Sequence, residues 1–327
     1  MGRILSYSKA INEAMHQMME SDPSVFVLGE DVAKMGGDFG LTQGIYHKWP
    51  DRIFDTALSE SAIVGLANGA ALCGLRPVAE IMFADFFGVC FDQLVNNAAK
   101  LNFMFQGKAK CPITVRAPQG AGIRCAYHHS ACVESWFLNT PGLVVVCPTT
   151  PYEAKGMLVA AIRNDNPVIF LEHKMLYNTR GEVPEELYEV PLYKANVERE
   201  GKDVTILALQ MTLGIAHKAA AKLEKDGISA EVINLRTIAP YDKETVMESV
   251  AKTGRLVIAQ EGPKTGGWAA ELSALIADDM FEYLRAPIKR VTSMDVPIAF
   301  APVMEDYVLP SAEKIEAACR ELAGYGF

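Results

Sequence analysis

The chain has 327 residues, half of them hydrophobic and 22% charged, with a formal net charge of -9 and an isoelectric point near 5.3. This composition describes a folded protein of about two domains with a sizeable core. It argues against nucleic acid as a partner, because no basic run offsets the acidic excess.

Short apolar runs at 25–28, 78–82, 113–116, 143–146 and 168–171 are bounded by Gly, Pro or Asp and read as buried parallel strands. Helical patterns at 7–21, 61–73, 85–101 and 152–163 lie between them. That alternation predicts a doubly wound α/β sheet. Near Asn178 the texture changes: up to 197 the chain carries Gly181, Pro184 and Pro191, with acids at 182, 185, 186 and 189 and no helical or strand period. The reading is a first α/β domain over 1–180, a linker over 181–200 and a second α/β domain over 201–327. The second domain shows strand patterns at 204–209, 230–235, 255–259 and 288–292, and helical ones at 213–226, 243–253, 268–280 and 311–322. There is no internal repeat and no low-complexity segment.

Seven cysteines, an odd number, include no CxxC pair and no His/Cys cluster at zinc spacing. Reduced thiols are expected, not a disulfide framework or a metal site. No run approaches the roughly 18 apolar residues of a membrane span. The N-terminus has no apolar stretch of signal-peptide type, so the expected location is cytoplasmic.

The segment from Asp55 to Pro77 is the most informative. It sets Glu60 at the mouth of a helix of small and apolar residues, with Ser59 or Ser61 available as cap. Gly65, Gly69 and Cys73 recur every four residues, a face that would let another backbone come very close. A carboxylate opening such a helix is expected to be desolvated, which raises its pKa toward the range useful for proton transfer. The plainer reading is a first-turn acid complementing the helix dipole. Gly120-Ala-Gly122-Ile-Arg-Cys125 is only a truncated dinucleotide-like pattern. Glu261-Gly-Pro-Lys-Thr-Gly-Gly-Trp268 is a Gly-rich turn that, taken alone, could bind an anion at a helix N-terminus.

The block Ala79-Glu80-Ile-Met82-Phe83-Ala-Asp-Phe86-Phe87-Gly-Val-Cys-Phe91-Asp92-Gln93 resembles the beta subunit of the thiamin-diphosphate-dependent component of 2-oxo acid dehydrogenase complexes. Tyr127-His128-His129-Ser130, Pro148-Thr-Thr-Pro151, Asn166-Pro167 through Glu172, and Leu309-Pro310-Ser311 follow in the same order, so the resemblance spans the chain. Several segments resemble most the acetoin dehydrogenase branch, among them Met82–Gln93 and Glu200-Gly-Lys-Asp-Val-Thr-Ile206. The fold this implies is a pyrimidine-type thiamin-diphosphate-binding domain followed by a transketolase C-terminal-like domain.

The resemblance further implies that Glu60 hydrogen-bonds the pyrimidine ring nitrogen of thiamin diphosphate and that Phe86 and Met82 wall the ring. Without it, both apolar residues would read as plain core. It makes His129 the residue that stabilises the substrate-derived adduct and donates a proton, with His128 as the alternative; His128 stands where relatives carry Gln or Tyr. A monovalent cation, K+, is implied on backbone carbonyls of Ile113, Ala161, Ile162, Asn164 and Asn166, although those residues read alone form a polar turn. A Mg2+-diphosphate motif is missing: Gly37-Asp38-Phe39 lacks its second Gly, and Asn96-Asn97 lie too far along. The implied remedy is a separate alpha subunit in an α2β2 heterotetramer, which docks on a lipoyl-bearing acyltransferase core. The implied reaction is cleavage of acetoin with acetyl transfer to lipoamide. A pyruvate or branched-chain 2-oxo acid dehydrogenase, a non-catalytic subunit of the same fold, and a self-sufficient transketolase-like enzyme are the alternatives.

Overall fold

The computed structural model describes residues 3–326. The chain forms two compact units: residues up to Gln119 together with Trp136–Leu192, and Gly120–Ser135 together with everything from Tyr193 onward. The segment 120–135, within the first domain as read from sequence, is grouped by its contacts with the second unit.

In the first unit a short pair opens the chain, β1 (Ile4–Ser6) against β8 (Arg180–Glu182), antiparallel. The main sheet contains β2 (Val25–Gly29), β3 (Ile53–Asp55), β4 (Arg76–Glu80), β5 (Thr114–Gln119), β6 (Val144–Val146) and β7 (Val168–His173). These run parallel in the spatial order β6-β7-β5-β4-β2-β3. Strands β2, β5, β6 and β7 are buried at every position, which is why they read as unbroken apolar runs and not as alternations. Each Val, Ile or Leu so buried contributes roughly 1.5–3 kcal/mol, an upper figure because denatured chains already bury some surface.

Helices α1 (Tyr7–Ser21), α2 (Ile45–Lys48), α3 (Glu60–Leu72), α4 (Phe87–Asp92), α5 (Ala99–Met104) and α6 (Pro151–Arg163) complete the unit. Helix α6 starts where the sequence dictates. Pro151 fills the first turn, and Thr150 and Glu153 form a reciprocal capping box, Glu153 N donating to Thr150 Oγ1 at 3.2 Å. The pattern expected to be one helix over 85–101 is instead a 3-10 turn, α4, a π-helical turn at Gln93–Ala98 and α5. Lys155, 0% exposed on α6, donates from Nζ to Glu13 Oε1 at 2.7 Å. It also reaches the carbonyls of Pro184, Glu185 and Glu186 at 2.8, 3.1 and 2.9 Å. Part of the expected linker is therefore bolted to the first unit.

The second unit contains β9 (Asn196–Arg199), β10 (Val204–Ala208), β11 (Ala230–Asn234), β12 (Thr237–Ala239), β13 (Leu256–Pro263) and β14 (Lys289–Ser293). Its sheet has the order β14-β13-β10-β11-β9, with β9 alone antiparallel. Strand β9 lies inside the stretch expected to be linker. The helices are α7 (Gln210–Lys225), α8 (Lys243–Thr253), α9 (Trp268–Asp279), α10 (Pro302–Val308) and α11 (Ala312–Ala323). Alternation along β10 shows helices on both faces: Val204, Ile206 and Ala208 pack with Ala216, Ala220, Ile315 and Leu322 of α7 and α11. Thr205 points the other way, its Oγ1 2.6 Å from Ser249 Oγ and 2.7 Å from Thr253 Oγ1 on α8. Both units are thus doubly wound. All seven cysteines are free, and no helix among the described residues is long and apolar enough to cross a membrane.

Candidate active site

Parallel α/β sheets present loops at the carboxyl ends of their strands, and there the candidate residues of the first unit gather. Beyond β3, the Asp55 carboxylate accepts Ala33 N at 2.7 Å, and Thr56 N donates to Gly29 O at 2.8 Å. These bonds tie the 55–59 loop to the end of β2 and deliver Glu60 as the first residue of α3. Neither serine caps the helix as expected. Ser59 is extended with no side-chain cap bond, and Ser61 Oγ donates to Val89 O at 2.6 Å. Glu60 is half-buried, not sealed as the desolvation argument expected. The small-residue face is also open within the chain: a Cβ on Gly65 would only touch Gln93, and one on Gly69 would meet nothing.

A residue passed over in the sequence stands beside it. Glu30 follows β2 and is 7% exposed, and its Oε1 is buried without a hydrogen-bond partner. Burial pushes its carboxyl above the ordinary range, and the charges of Glu60, Asp31 and Asp38 add to the effect. Cys90 on α4 feels the same field: burial first, then Glu60, push its thiol up to about 12. In sequence, Glu30 is one acid of a Gly-Glu-Asp turn. Its place after a buried parallel strand was the available signal.

Past β4 the chain carries the apolar candidates. Ile81 N donates to Arg116 O at 2.9 Å, extending the ladder one residue before the backbone breaks into the 3-10 turn Ala84–Phe86. Phe83 and Phe86 meet edge to face at 6.1 Å, and Phe39 leans on Phe83 at 6.0 Å. Met82 and Phe86 are half-buried, whereas the next residue, Phe87, is fully buried against Phe137 at 5.0 Å. Beneath them Arg116, 0% exposed, binds Glu172 with two bonds of 2.7 and 2.9 Å and Glu80 with one of 2.5 Å. Tyr177 donates to Glu172 at 2.8 Å. Burial alone would lower the Arg116 pKa; Glu172 and Glu80 outweigh it and hold the guanidinium charged.

His129 lies in the 120–135 segment, which is grouped by its contacts with the second unit. His129 is half-buried, and His128 is exposed with its ring against Tyr127 at 4.4 Å. The loop before them is pinned at several points. Ala121 N donates to Glu261 Oε1 at 2.7 Å and Gly122 N to Glu305 Oε1 at 2.5 Å. Arg124 bridges Glu305 and Asp306 at 2.9 and 2.8 Å. After it, Ser130 is buried, and Trp268 Nε1 donates to Glu134 at 3.2 Å. The Gly-rich turn before α9 does not form an anion site. Its first amides are already taken, Trp268 N by Ser135 Oγ at 2.9 Å and Ala269 N by the Gln260 side chain at 2.8 Å.

Four of the five carbonyls expected around a cation, all but that of Asn166, accept hydrogen bonds from the protein. Ile113 O accepts from Val168 N at 2.9 Å and Ala161 O from Asn164 N at 3.1 Å. Ile162 O and Asn164 O both accept from Arg76 Nη1 at 3.0 Å, and Asn166 N donates to the Asn164 side chain at 2.9 Å. The amides of Asn96 and Asn97 are likewise used within their own helical turns, on Asp92 and Gln93. Neither is arranged to hold a metal-bound diphosphate.

Comparison with known proteins agrees with this architecture. The family "Transketolase, pyrimidine binding domain" matches residues 4–180, and "Transketolase, C-terminal domain" matches residues 193–315. The acetoin:2,6-dichlorophenolindophenol oxidoreductase subunit beta of Cupriavidus necator is 50% identical, with 98% of each chain covered. The 2-oxoisovalerate dehydrogenase subunit beta of Bacillus subtilis is 46% identical, covering 98% of this chain and 99% of the relative. The acetoin:2,6-dichlorophenolindophenol oxidoreductase subunit beta of Bacillus subtilis is 45% identical, covering 99% and 98%. A solved structure described as a split gene transketolase, inactive beta4 tetramer, superposes with a TM-score of 0.78 at 23% identity, covering 98% and 99%. That likeness concerns the fold.

Proposed function

The chain belongs to the transketolase-type family, among the beta subunits of thiamin-diphosphate-dependent dehydrogenase complexes, and on that premise we propose that it is the beta subunit of an acetoin-cleaving enzyme. The observation that carries the reading is the 50% identity, end to end, to an acetoin oxidoreductase beta subunit. In this reading acetoin is split, acetaldehyde leaves, and the remaining two-carbon unit passes to lipoamide as acetyl while the lipoyl disulfide is reduced.

The residues of the first unit fit the pyrimidine half of the cofactor: a half-buried carboxylate opening a helix, half-buried Met82 and Phe86, and a buried Glu30 oxygen lacking a partner. When bound, thiamin diphosphate supplies the carbon nucleophile and electron sink for breaking a bond beside a carbonyl. Glu60 holds the hydrogen bond at the pyrimidine ring nitrogen. Glu30, buried next to it, has its carboxyl pushed above the ordinary range by burial and by the Glu60 charge. Met82 and Phe86 form the apolar wall that excludes water. His129 donates a proton during transfer to the lipoyl group, a task suited to an imidazole because its ordinary pKa lies near the working pH. Among the described residues nothing fits magnesium and diphosphate, so a separate alpha subunit supplies them, in an α2β2 assembly that docks on a lipoyl-bearing acyltransferase in the cytoplasm.

The second reading is a decarboxylating 2-oxo acid dehydrogenase, favoured by the 46% identity to a 2-oxoisovalerate subunit. Thiamin-dependent dye reduction by the chain co-purified with its alpha partner separates the two. Preference for acetoin over pyruvate and 2-oxoisovalerate supports the first. Preference for a 2-oxo acid replaces it with the second, and turnover by the chain alone would point to a self-sufficient enzyme. A Glu60→Gln variant that leaves turnover intact would restore the non-catalytic reading.

A further inference from the structure

Arg76 opens β4, and its side chain reaches the far end of α6. Nη1 lies 3.0 Å from the carbonyl oxygens of both Ile162 and Asn164, Nη2 lies 2.8 Å from Asp165 Oδ1, and Nε lies 3.9 Å from Asp22 Oδ2. Ile162 belongs to the last turn of α6 and Asn164 caps it. Carbonyls at such an end have lost their helical partners and carry the negative pole of the dipole. They are also members of the set that the family resemblance offers to a monovalent cation. The other carbonyls of known partner, those of Ile113 and Ala161, accept from backbone amides.

The local charge already leans positive. Lys110 joins Arg76 on Asp165, with Nζ 2.6 Å from Oδ2, and Arg52 adds its charge beside Asp22, so three cations face the two acids Asp22 and Asp165. An added ion sharing the Ile162 and Asn164 oxygens would stand against a half-buried guanidinium, and like charges at that range repel strongly where water is scarce. The donor set therefore does not fit a further cation.

We propose that Arg76 is the internal cation of this turn, a positioning residue that makes the chain independent of K+. Its guanidinium does what a bound ion would do: it draws together the end of α6, the 164–167 turn and the start of β4. The turn in turn sets strand register, since Cys111 N donates to Asp165 O at 3.1 Å and Val144 N to Pro167 O at 3.0 Å. The inference does not depend on the substrate.

Thermal unfolding of the full-length chain in KCl, NaCl and choline chloride at equal ionic strength tests it. An ion held only by the native state raises the melting temperature with concentration by mass action. Wild type is expected to give one curve in all three salts. Arg76→Met is expected to melt lower and to gain a saturable rise in KCl that choline does not reproduce. A saturable K+-specific rise in wild type overturns the proposal, as does one-to-one binding of thallium(I) to wild type by thallium NMR. A folded Arg76→Met variant indifferent to K+ also overturns it, leaving Arg76 only a helix cap. If that variant does not fold, Arg76→Lys keeps the charge: indifference to K+ supports the proposal and dependence on K+ sinks it.

Discussion

Arg116 and Glu172 face each other from the neighbouring parallel strands β5 and β7, joined by two bonds of 2.7 and 2.9 Å with both side chains 0% exposed. A charge pair at the centre of a sheet is costly to create and more costly to break, because the surviving partner stays buried and charged. Arg116→Met should therefore destabilise the chain by about 3–5 kcal/mol, read from urea unfolding. A loss below about 1 kcal/mol would mean the pair behaves as an exposed one. The double variant Arg116→Met with Glu172→Gln should recover part of the loss.

In the proposed reading Glu60, half-buried at the mouth of α3, serves the cofactor and not the fold. Glu60→Gln should lower turnover of the reconstituted complex by at least 10²-fold, about the contribution of one positioned acid or base. Its melting temperature should stay within error of wild type. Equal loss of turnover and of folded protein would show that the carboxylate is structural instead.

Glu30 carries the pH signature. Its folded pKa is raised above the ordinary value of 4.5 by burial and by Glu60, Asp31 and Asp38. The folded state thus binds the proton more tightly than the unfolded one. The stability this gives is full below the unfolded pKa and is lost as pH rises through the folded pKa. Glu30→Gln cannot ionise and should melt higher than wild type at pH 8, with the gap closing toward pH 4. A variant less stable than wild type at pH 8 would refute this origin.

Lys155 saturates its ammonium with one carboxylate and three carbonyls. Lys155→Met leaves Glu13 and the 184–186 carbonyls without that donor, at a cost of about 3–5 kcal/mol. Hydrogen exchange should report faster opening around 183–188 than elsewhere in the first unit. Uniform acceleration would show that the clamp belongs to the global fold and not to this segment.

What could be read in the sequence depended on whether the determining contact was local. The buried runs of β2, β4, β5, β6 and β7 declare themselves, because burial on both faces leaves marks within a few residues. Strands β1, β3 and β8 span three residues each and, unlike the equally short β6, are not buried apolar runs, so neither period nor burial marks them. Strand β9 forms through its antiparallel pairing with β11, remote in sequence. Glu60 stands out in the sequence as the acid opening a small-residue helix, Met82 and Phe86 become candidates only through resemblance, and nothing in the sequence draws the eye to Glu30 or Arg76. Their roles rest on a second acid 30 positions away and on carbonyls 86 and 88 away, which no spacing rule reaches.

Arg76 also has a history during synthesis. Its partner Asp165 lies 89 residues downstream. At translation rates of about 5–20 residues per second, Arg76 leaves the ribosome roughly 4–18 s before that carboxylate exists. Asp22 has emerged by then and can already attract the guanidinium. The end of α6 thus meets a charge that was synthesised well before it.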